Sequence, residues 1–335
     1  MKKNLLLCLF TLSATCAFAF GAIEKSGKVV TVYAYDSFTA EWGPGPQLER
    51  KFEAATGYDL QFVTFEDAPA VLAQAAIEGK NCKADVLVGI DNFLLGQAKK
   101  ADVLKPYKAK NLSRISQKSL IFDETNLLTP YDYGYFAFMF DTASKLQAPK
   151  SLAELADSRY AKSIVIMDPR TSSVGLGLAM WTQAAYGEAY LDIWKKLKPS
   201  ILSMTSGWSA GYGLFTKGEA ALALSYTSSE AYHVRYDKTD RYKALIFDDG
   251  HIAQIEGLGL AKYAPNEAGA KAFIEFMLSE EAQAILPETQ WMYPANTAVS
   301  LPESFKTVPM PKKSLMLSGT EAETTVDALI SVLEK

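Results

Sequence analysis

Strand and helix patterns alternate between residues 28 and 101, and this alternation limits the possible fold more than any other feature. Three strand patterns, "KVVTVYAYD", "DLQFVTF" and "ADVLVGI", are each followed by a helix pattern. Such alternation predicts a parallel sheet with helices on its faces. Ligands of these sheets bind beyond the carboxyl ends of the strands, which here carry Tyr35, Asp36, Asp67 and Asp91.

A long aromatic strand pattern, "TPYDYGYFAFMFD", interrupts the alternation at residues 129–141, and "HIAQIEGLGLA" is typical of a strand that returns. We interpret the two as crossovers between two α/β lobes. The predicted boundaries are 28–128 with 256–335 for lobe 1, and 129–255 for lobe 2. A ligand cleft is expected between the lobes. The capping box "SLAE" predicts a helix from Ser151, residues 267–286 predict one long helix, and "ALIFD" predicts a strand.

The first residues carry an export signal rather than a part of the fold. Lys2 and Lys3 precede a short apolar run, and the small-x-small pattern predicts cleavage after Ala19. Cleavage leaves 32 basic against 38 acidic residues, so the formal charge changes from -4 to -6. An acidic exported chain is a poor candidate for nucleic-acid binding. Lipidation at Cys16 is the less favoured alternative to a soluble periplasmic product.

Catalytic motifs are missing from the sequence. His233 and His251 are its histidines, and neither belongs to a metal-binding spacing. No G-x-S-x-G or Walker A pattern occurs. Cys82, which stands alone after export, is either an ordinary loop residue or, less plausibly, a nucleophile. We therefore expect a binding protein with no catalytic residue, no metal and no cofactor.

Candidate binding residues each allow two interpretations. Asp67, in "DAPA", is either a helix N-cap or a carboxylate that faces a cation. Ser172 and Ser173 precede a helix, where they either cap it or receive a phosphate. Trp208 and the hydroxyl-rich segment 226–229 are typical either of core and turn or of a pocket wall. In combination they suit a flat cationic ligand with an optional phosphate.

Several segments together resemble one known family. They are "TVYAYDSFTAEWGPGP", "GKNCKADVLVGIDNFLL", "YDYGYFAFMFD", "DPRTSSVGLGL", "GWSAGYGLFTKGEAALALSYTSSEAYH" and "WMYPANTAV". In order along nearly the whole mature chain, they resemble the periplasmic thiamine-binding proteins of Gram-negative ABC importers. The resemblance implies a two-lobed type II periplasmic binding protein. Its implied ligands are thiamine, thiamine phosphate and thiamine pyrophosphate, and its implied partner is a membrane permease.

The resemblance also implies a set of site residues. They are Asp67, Ala68, Ser172, Ser173, Trp208, Tyr226, Thr227, Ser228, Ser229 and Glu230, with Tyr35, Tyr232 and Trp291 lining the same cleft. Ala68, Ser173 and Glu230 depart from residues common in the family. Two rival functions remain open at this point: a ferric-ion receptor that uses tyrosinates, and a thiaminase-like enzyme that uses a cysteine in the cleft.

Overall fold

A computed structural model describes residues 27–115, 117–317 and 322–334. The predicted signal segment 1–19 and Cys16 lie outside these residues. Within the described ranges, no helix combines the length and the apolar character that crossing a membrane requires.

Strands and helices alternate in the predicted order through the first part of the chain. The strands are β1 (Val29–Tyr35), β2 (Asp59–Phe65), β3 (Val86–Asp91), β4 (Thr129–Asp141), β5 (Ile164–Met167), β6 (Ile201–Thr205), β7 (Leu222–Tyr226), β8 (Tyr242–Ala244), β9 (His251–Leu260), β10 (Tyr293–Pro294) and β11 (Ser314–Leu315). The α-helices are α1 (Asp36–Thr39), α2 (Gly45–Thr56), α3 (Ala68–Glu78), α4 (Leu95–Ala101), α5 (Ser173–Tyr186), α6 (Tyr190–Leu197), α7 (Trp208–Thr216), α8 (Ser229–Tyr232), α9 (Glu267–Met277), α10 (Glu280–Gln283), α11 (Leu286–Thr289) and α12 (Ala322–Leu333).

Two parallel sheets are joined through antiparallel strands. In lobe 1, β1 lies between β2 and β3 and is parallel to both, and β9 pairs antiparallel with β3. In lobe 2, β5 lies between β6 and β7 and is parallel to both. The parallel arrangement places the carboxyl ends of β1, β2 and β3 at one edge, and those of β5, β6 and β7 at another. The site lies between these two edges.

Strand β4 belongs to both sheets. Its first half, through Tyr135, pairs with β9, and from Phe136 onward it pairs with β7. This change of partner within one strand makes β4 a crossover between the lobes, as the aromatic pattern predicted. The lobe boundaries stay a prediction. Helix α12, which falls in the range predicted for lobe 1, packs against α5 and α6 of lobe 2.

Each lobe has its own aromatic core. In lobe 1 the rings of Phe52 and Phe273 meet edge to face with centroids 5.3 Å apart. In lobe 2 the Trp181 ring stacks on Phe247 at 5.9 Å, and its indole N–H donates to the Gly250 carbonyl at 2.8 Å. The satisfied indole explains how a fully buried tryptophan is accommodated there.

Three local predictions were wrong. Ser151 accepts a hydrogen bond from the Glu154 N–H, as a cap does, but only a short 3₁₀ turn at Glu154–Ala156 follows. The predicted helix 267–286 ends at Met277, because the Ser279 hydroxyl accepts from the Ala282 N–H and begins a new helix. The strand expected in "ALIFD" ends at Ala244, since only Tyr242–Ala244 pairs with β4.

Candidate functional site

A cavity of about 350 Å³ lies between the two lobes. It is surrounded by the end of β1, the start of α3, the first turns of α5 and α7, the end of β7 and the segment after α11. Its walls are formed by Tyr35, Asp36, Ser37, Trp42, Asp67, Ser173, Val174, Trp208, Ser209, Tyr212, Gly213, Thr216, Tyr226, Ser229, Tyr232, Glu256, Gln290, Trp291 and Met292. None of these described residues is a lysine, an arginine or a histidine. The cavity is therefore aromatic and acidic, without a basic side chain.

Polar contacts join the two lobes at the rim of the cavity. The Ser209 hydroxyl donates to Asp36 Oδ1 at 3.0 Å, and the Ser206 hydroxyl donates to Glu66. The Trp42 ring, which is half exposed, lies 6.5 Å from the ring of Trp208. Each of these pairs has one member in each lobe. The structure is therefore a closed form in which the lobes touch around the cavity.

Asp67 is the buried carboxylate at the meeting point of the lobes. It is the N-cap of α3, and its Oδ1 accepts from the Ala68 N–H at 2.7 Å. The same oxygen accepts from the backbone N–H and from the hydroxyl of Ser173, both at 3.0 Å. Burial raises the pKa of Asp67, and these hydrogen bonds oppose the rise. Asp67 therefore caps one helix and joins it to the start of another.

One wall of the cavity consists of stacked aromatic rings. Trp208 and Tyr212 are one helical turn apart in α7, and their rings stack 4.8 Å apart with 17° between the planes. The Trp208 indole N–H donates to Ser225 Oγ at 2.9 Å, which fixes the ring. The Tyr212 hydroxyl bonds to His233 Nε2 at 2.7 Å. These bonds hold a flat apolar face toward the cavity before a ligand enters.

A second pair of aromatic rings also lines the cavity. The rings of Tyr232 and Trp291 meet edge to face at 5.6 Å. Trp291 has φ of 59°, a left-handed backbone conformation that bulky residues rarely adopt. Its N–H bonds to the Leu286 carbonyl at 3.0 Å, which supports the turn after α11. Backbone strain of this kind is concentrated at functional sites.

The inner wall is acidic. Glu256 lines the cavity from β9, and the hydroxyls of Tyr35 and Tyr131 each donate to its Oε2 at 2.8 Å. Its cross-strand partner in β4 is Asp132, another buried carboxyl group. Burial raises the pKa of Glu256 to about 7 and that of Asp132 well above its usual range. Like charges directly opposite each other in a sheet repel, so both groups ionise with difficulty.

The predicted site residues divide into two groups. Those that line the cavity are Tyr35, Asp67, Ser173, Trp208, Tyr226, Ser229, Tyr232 and Trp291. Those that do not line it are Ala68, Ser172, Thr227, Ser228 and Glu230. Their roles in ligand binding stay predictions.

Local bonds explain the positions of Ser172 and Glu230 in the second group. Ser172 is the N-cap of α5 and accepts from the Gly175 N–H at 3.4 Å. Glu230 is buried, forms an ion pair with Lys243 at 3.1 Å and accepts from the Ala244 N–H at 3.1 Å. The carboxylate of Glu230 is therefore bound to β8 and does not line the cavity. The side chains of Thr227 and Ser228 are fully buried.

Sequence analysis missed several cavity residues. They are Ser37, Trp42, Val174, Ser209, Tyr212, Gly213, Thr216, Glu256, Gln290 and Met292. Tyr212 carries a signal, since it stands four residues after Trp208 on one helix. Glu256 carries another, because it is the acidic residue of the return strand His251–Leu260. Of the carboxylates expected at strand ends, Asp36 and Asp67 line the cavity. Asp91 instead accepts hydrogen bonds from the backbone N–H groups of Phe93 and Leu94 and from the side chain of Gln254.

Cys82 and His251 are both buried. Cys82 does not line the cavity, and burial raises the pKa of its thiol to about 11. His251 accepts from the Phe247 N–H and bonds to the Phe136 carbonyl, and burial lowers its pKa. Among the residues that the structure describes, no group of three or more His, Cys, Asp or Glu side chains is placed to hold a metal ion.

The two-lobed fold with its interlobe cavity defines a class of receptor. The chain belongs to the bacterial extracellular solute-binding proteins, whose family model matches residues 81–317. Thiamine-binding periplasmic proteins of Brucella abortus and Escherichia coli are 38% and 39% identical to it over 317 and 311 residues. The alignments cover 94% and 90% of this chain and 94% and 91% of those proteins. These relatives are named as periplasmic binding proteins, not as enzymes.

Solved structures agree with this family. A periplasmic thiamin binding protein is 37% identical, with a TM-score of 0.85 over 92% of this chain and 96% of its own. A ferric binding protein from Campylobacter jejuni has a TM-score of 0.76 over 91% of this chain and 98% of its own, at 18% identity. At that identity the likeness shows the fold alone.

Proposed function

We propose that this protein is a periplasmic receptor that captures thiamine between its two lobes and delivers it to an ABC importer. The observation that carries the proposal is the cavity of about 350 Å³, whose walls are aromatic rings and carboxyl groups without a basic side chain. Thiamine is flat, aromatic and positively charged, so it matches each of these properties. The identity to thiamine-binding relatives supports the same ligand.

The aromatic walls supply contact with the ligand rings. Trp208, held by its bond to Ser225, presents a rigid face, and the rings of Tyr232 and Trp291 add further aromatic surface to the cavity. Stacking and cation–π contacts contribute about 0.5–2 kcal/mol each. The rings are fixed by packing in the closed form, so ordering them on binding costs little entropy.

Carboxyl groups supply electrostatic complementarity. Asp67 and Asp36 lie at the rim and Glu256 at the inner wall, so a cation in the cavity faces acidic groups on more than one side. Contacts between the lobes, such as Ser173 with Asp67, form when the lobes close. We infer that the ligand enters an open form and that a hinge motion then encloses it.

Thiamine phosphate and thiamine pyrophosphate are included in the proposal. Ser229 carries a hydroxyl into the cavity, and the long helix α5 begins at Ser173, whose own N–H and hydroxyl donate to Asp67 in the closed form. Hydroxyls and the N-terminal N–H groups of a helix bind phosphate without a basic side chain. Export through the segment 1–19, cleavage after Ala19 and release to the permease complete the proposed pathway.

Isothermal titration with thiamine, thiamine phosphate and thiamine pyrophosphate tests the function. We expect one site per chain for thiamine and recovery of the ligand unchanged after release. Absence of binding heat and of competition for all three compounds would refute the proposal. Ferric ion added in a parallel experiment should produce no visible charge-transfer band. The hydroxyls of Tyr35 and Tyr131 donate hydrogen bonds to Glu256, and burial raises the pKa values of both tyrosines, so neither readily forms a tyrosinate.

A further inference from the structure

The inner wall of the cavity contains a pair of carboxyl groups with no basic partner. Asp132 in β4 and Glu256 in β9 are direct cross-strand partners, with 0% and 5% of their surface exposed. Neither carboxyl oxygen of Asp132 accepts a hydrogen bond from a donor among the other described residues. A purely structural pair would be expected to have a lysine or an arginine beside it. The surroundings of this pair are the cavity and the neighbouring hydroxyl groups.

The orientation of Glu256 is fixed by hydrogen bonds to one of its oxygens. Tyr35 and Tyr131 donate to Oε2 at 2.8 Å, and Gln290 Nε2 reaches the same oxygen at 3.5 Å. Because these groups only donate to the carboxyl group and Glu256 lines the cavity, it is positioned to present negative charge to a ligand. Asp132 is its buried cross-strand partner and does not line the cavity.

The groups that face Glu256 from surrounding elements are acidic or phenolic. They are Tyr35 from β1, Asp91 from β3, Tyr131 and Asp132 from β4, Tyr226 from β7, Asp67 from the start of α3, and the neutral Gln290 after α11. No cation among the described residues offsets them. Burial raises the pKa of Glu256 to about 7, the charge of Asp67 adds to the rise, and the hydrogen bonds from Tyr35 and Tyr131 oppose it. Near neutral pH, Glu256 is therefore partly protonated.

We propose that Glu256 is a specificity-determining residue of this cavity, which ionises as a cationic ring enters and so couples ligand binding to proton release. This inference rests on the proposed thiamine-binding function. The O–H bond of the Glu256 carboxyl group breaks, its proton passes to the buffer, and the carboxylate stays opposite the positive ring of the ligand. A neutral ligand gains nothing from this ionisation, so the cavity selects a cation over an uncharged molecule of the same shape.

The sign of the pH dependence follows from linkage. A bound cation stabilises the carboxylate and lowers its pKa below the value in the free protein. Affinity for thiamine therefore increases as the pH rises toward about 7, and it is constant above that value. Between the pKa values of the bound and the free protein, the dissociation constant changes up to about tenfold per pH unit.

Titration calorimetry with thiamine measures the released proton directly. The binding heat is recorded near pH 6 and near pH 8 in buffers with different enthalpies of ionisation. We expect a buffer-dependent heat at the lower pH, corresponding to release of up to one proton, and a much smaller dependence at the higher pH. The aminopyrimidine of thiamine also takes up protons in weakly acidic solution. The number of protons released by the wild type minus the number released by Glu256→Gln therefore gives the contribution of Glu256.

Three variants separate this role from a structural one. Glu256→Gln should lose the proton release and the pH dependence of affinity, yet unfold at an equal or higher temperature because a buried ionisable group is removed. Tyr131→Phe removes a hydrogen bond that stabilises the Glu256 carboxylate from outside the cavity lining, and it should shift the pH dependence to higher pH. Glu49→Gln makes the same chemical change on α2, outside the cavity, and should retain the release.

The outcomes distinguish the role of Glu256 from the proposed thiamine-binding function. If thiamine binds but its heat is the same in every buffer, or if Glu256→Gln releases the same proton, Glu256 has no such role and the proposed function stands. If thiamine does not bind to the wild type at all, both proposals are refuted. Should Glu256→Gln fail to fold, Tyr131→Phe still decides, because an affinity that falls at the same pH as in the wild type would refute the role of Glu256.

Discussion

Asp67 and Ser173 join the two lobes through two hydrogen bonds to one oxygen. The backbone N–H and the hydroxyl of Ser173 both donate to Asp67 Oδ1 at 3.0 Å, across the mouth of the cavity. The same oxygen accepts the Ala68 N–H at the start of α3. One carboxylate thus links the N-terminal ends of a helix from each lobe. Negative charge is favourable at both ends.

Ser173→Ala should weaken thiamine binding about five- to tenfold. The variant loses a hydrogen bond to a charged group that exists only when the lobes are closed, about 1–1.5 kcal/mol. Titration calorimetry measures the affinity, and thermal unfolding without ligand should change little. Ser279→Ala is the matched control, because Ser279 caps α10 away from the cavity. It should lower stability and leave affinity unchanged, and the opposite pattern would contradict the role given to Ser173.

Trp208→Leu should lower the affinity for thiamine by about two- to thirtyfold, because it removes a stacking surface worth about 0.5–2 kcal/mol. Trp208→Phe, which keeps an aromatic face but loses the bond to Ser225, should fall between the leucine variant and the wild type. Quenching of tryptophan fluorescence during titration reports the same site. Equal affinities for all three proteins would show that the ring is only part of the core.

Glu230→Gln should destabilise the protein by about 1–3 kcal/mol without changing the preference among thiamine and its phosphates. The carboxylate is buried against Lys243 and the Ala244 N–H, so its loss weakens the attachment of α8 to β8. Urea unfolding gives the stability, and competition binding gives the preference. A changed ranking of the phosphorylated forms would instead place Glu230 in contact with the ligand.

The free energy of unfolding of the ligand-free protein should decrease as the pH rises from about 4 to about 7. Burial raises the pKa of Asp91 and of Glu256 to about 7, so between these pH values the folded state holds more protons than the unfolded chain. Each such group changes the stability by up to about 1.4 kcal/mol per pH unit. Hydrogen bonds lower the pKa of Asp123, so its contribution is lost only on stronger acidification.

Urea unfolding at several pH values tests this dependence. Glu256→Gln should flatten the slope in part, while Asp91 maintains the remainder. A stability that is constant or increases across this interval would show that these carboxyl groups ionise freely in the folded protein.

The order of strands and the crossover at β4 follow from local sequence, because apolar alternation and turn residues specify a strand without knowledge of its partner. The division between helices α9 and α10 at Ser279 does not follow from local sequence. Residues 278–286 retain a helical pattern, and only the position of Ser279 as a cap shows where the new helix begins. Likewise, "SLAE" forms its capping contact, but the following residues do not continue as an α-helix.

By itself the sequence determined the type of residues available, the two-lobed class and the ligand that the family resemblance implies. The tertiary structure alone decided which of those residues face the cavity. In the segment from Tyr226 to Glu230, the short helix α8 turns Ser229 toward the cavity and Glu230 toward Lys243. The tertiary structure also determined that Asp132 and Glu256, distant in sequence, are buried opposite each other. Burial and the pairing of distant strands set the pKa values of Asp132 and Glu256, and neither can be deduced from the residues adjacent to them in the sequence.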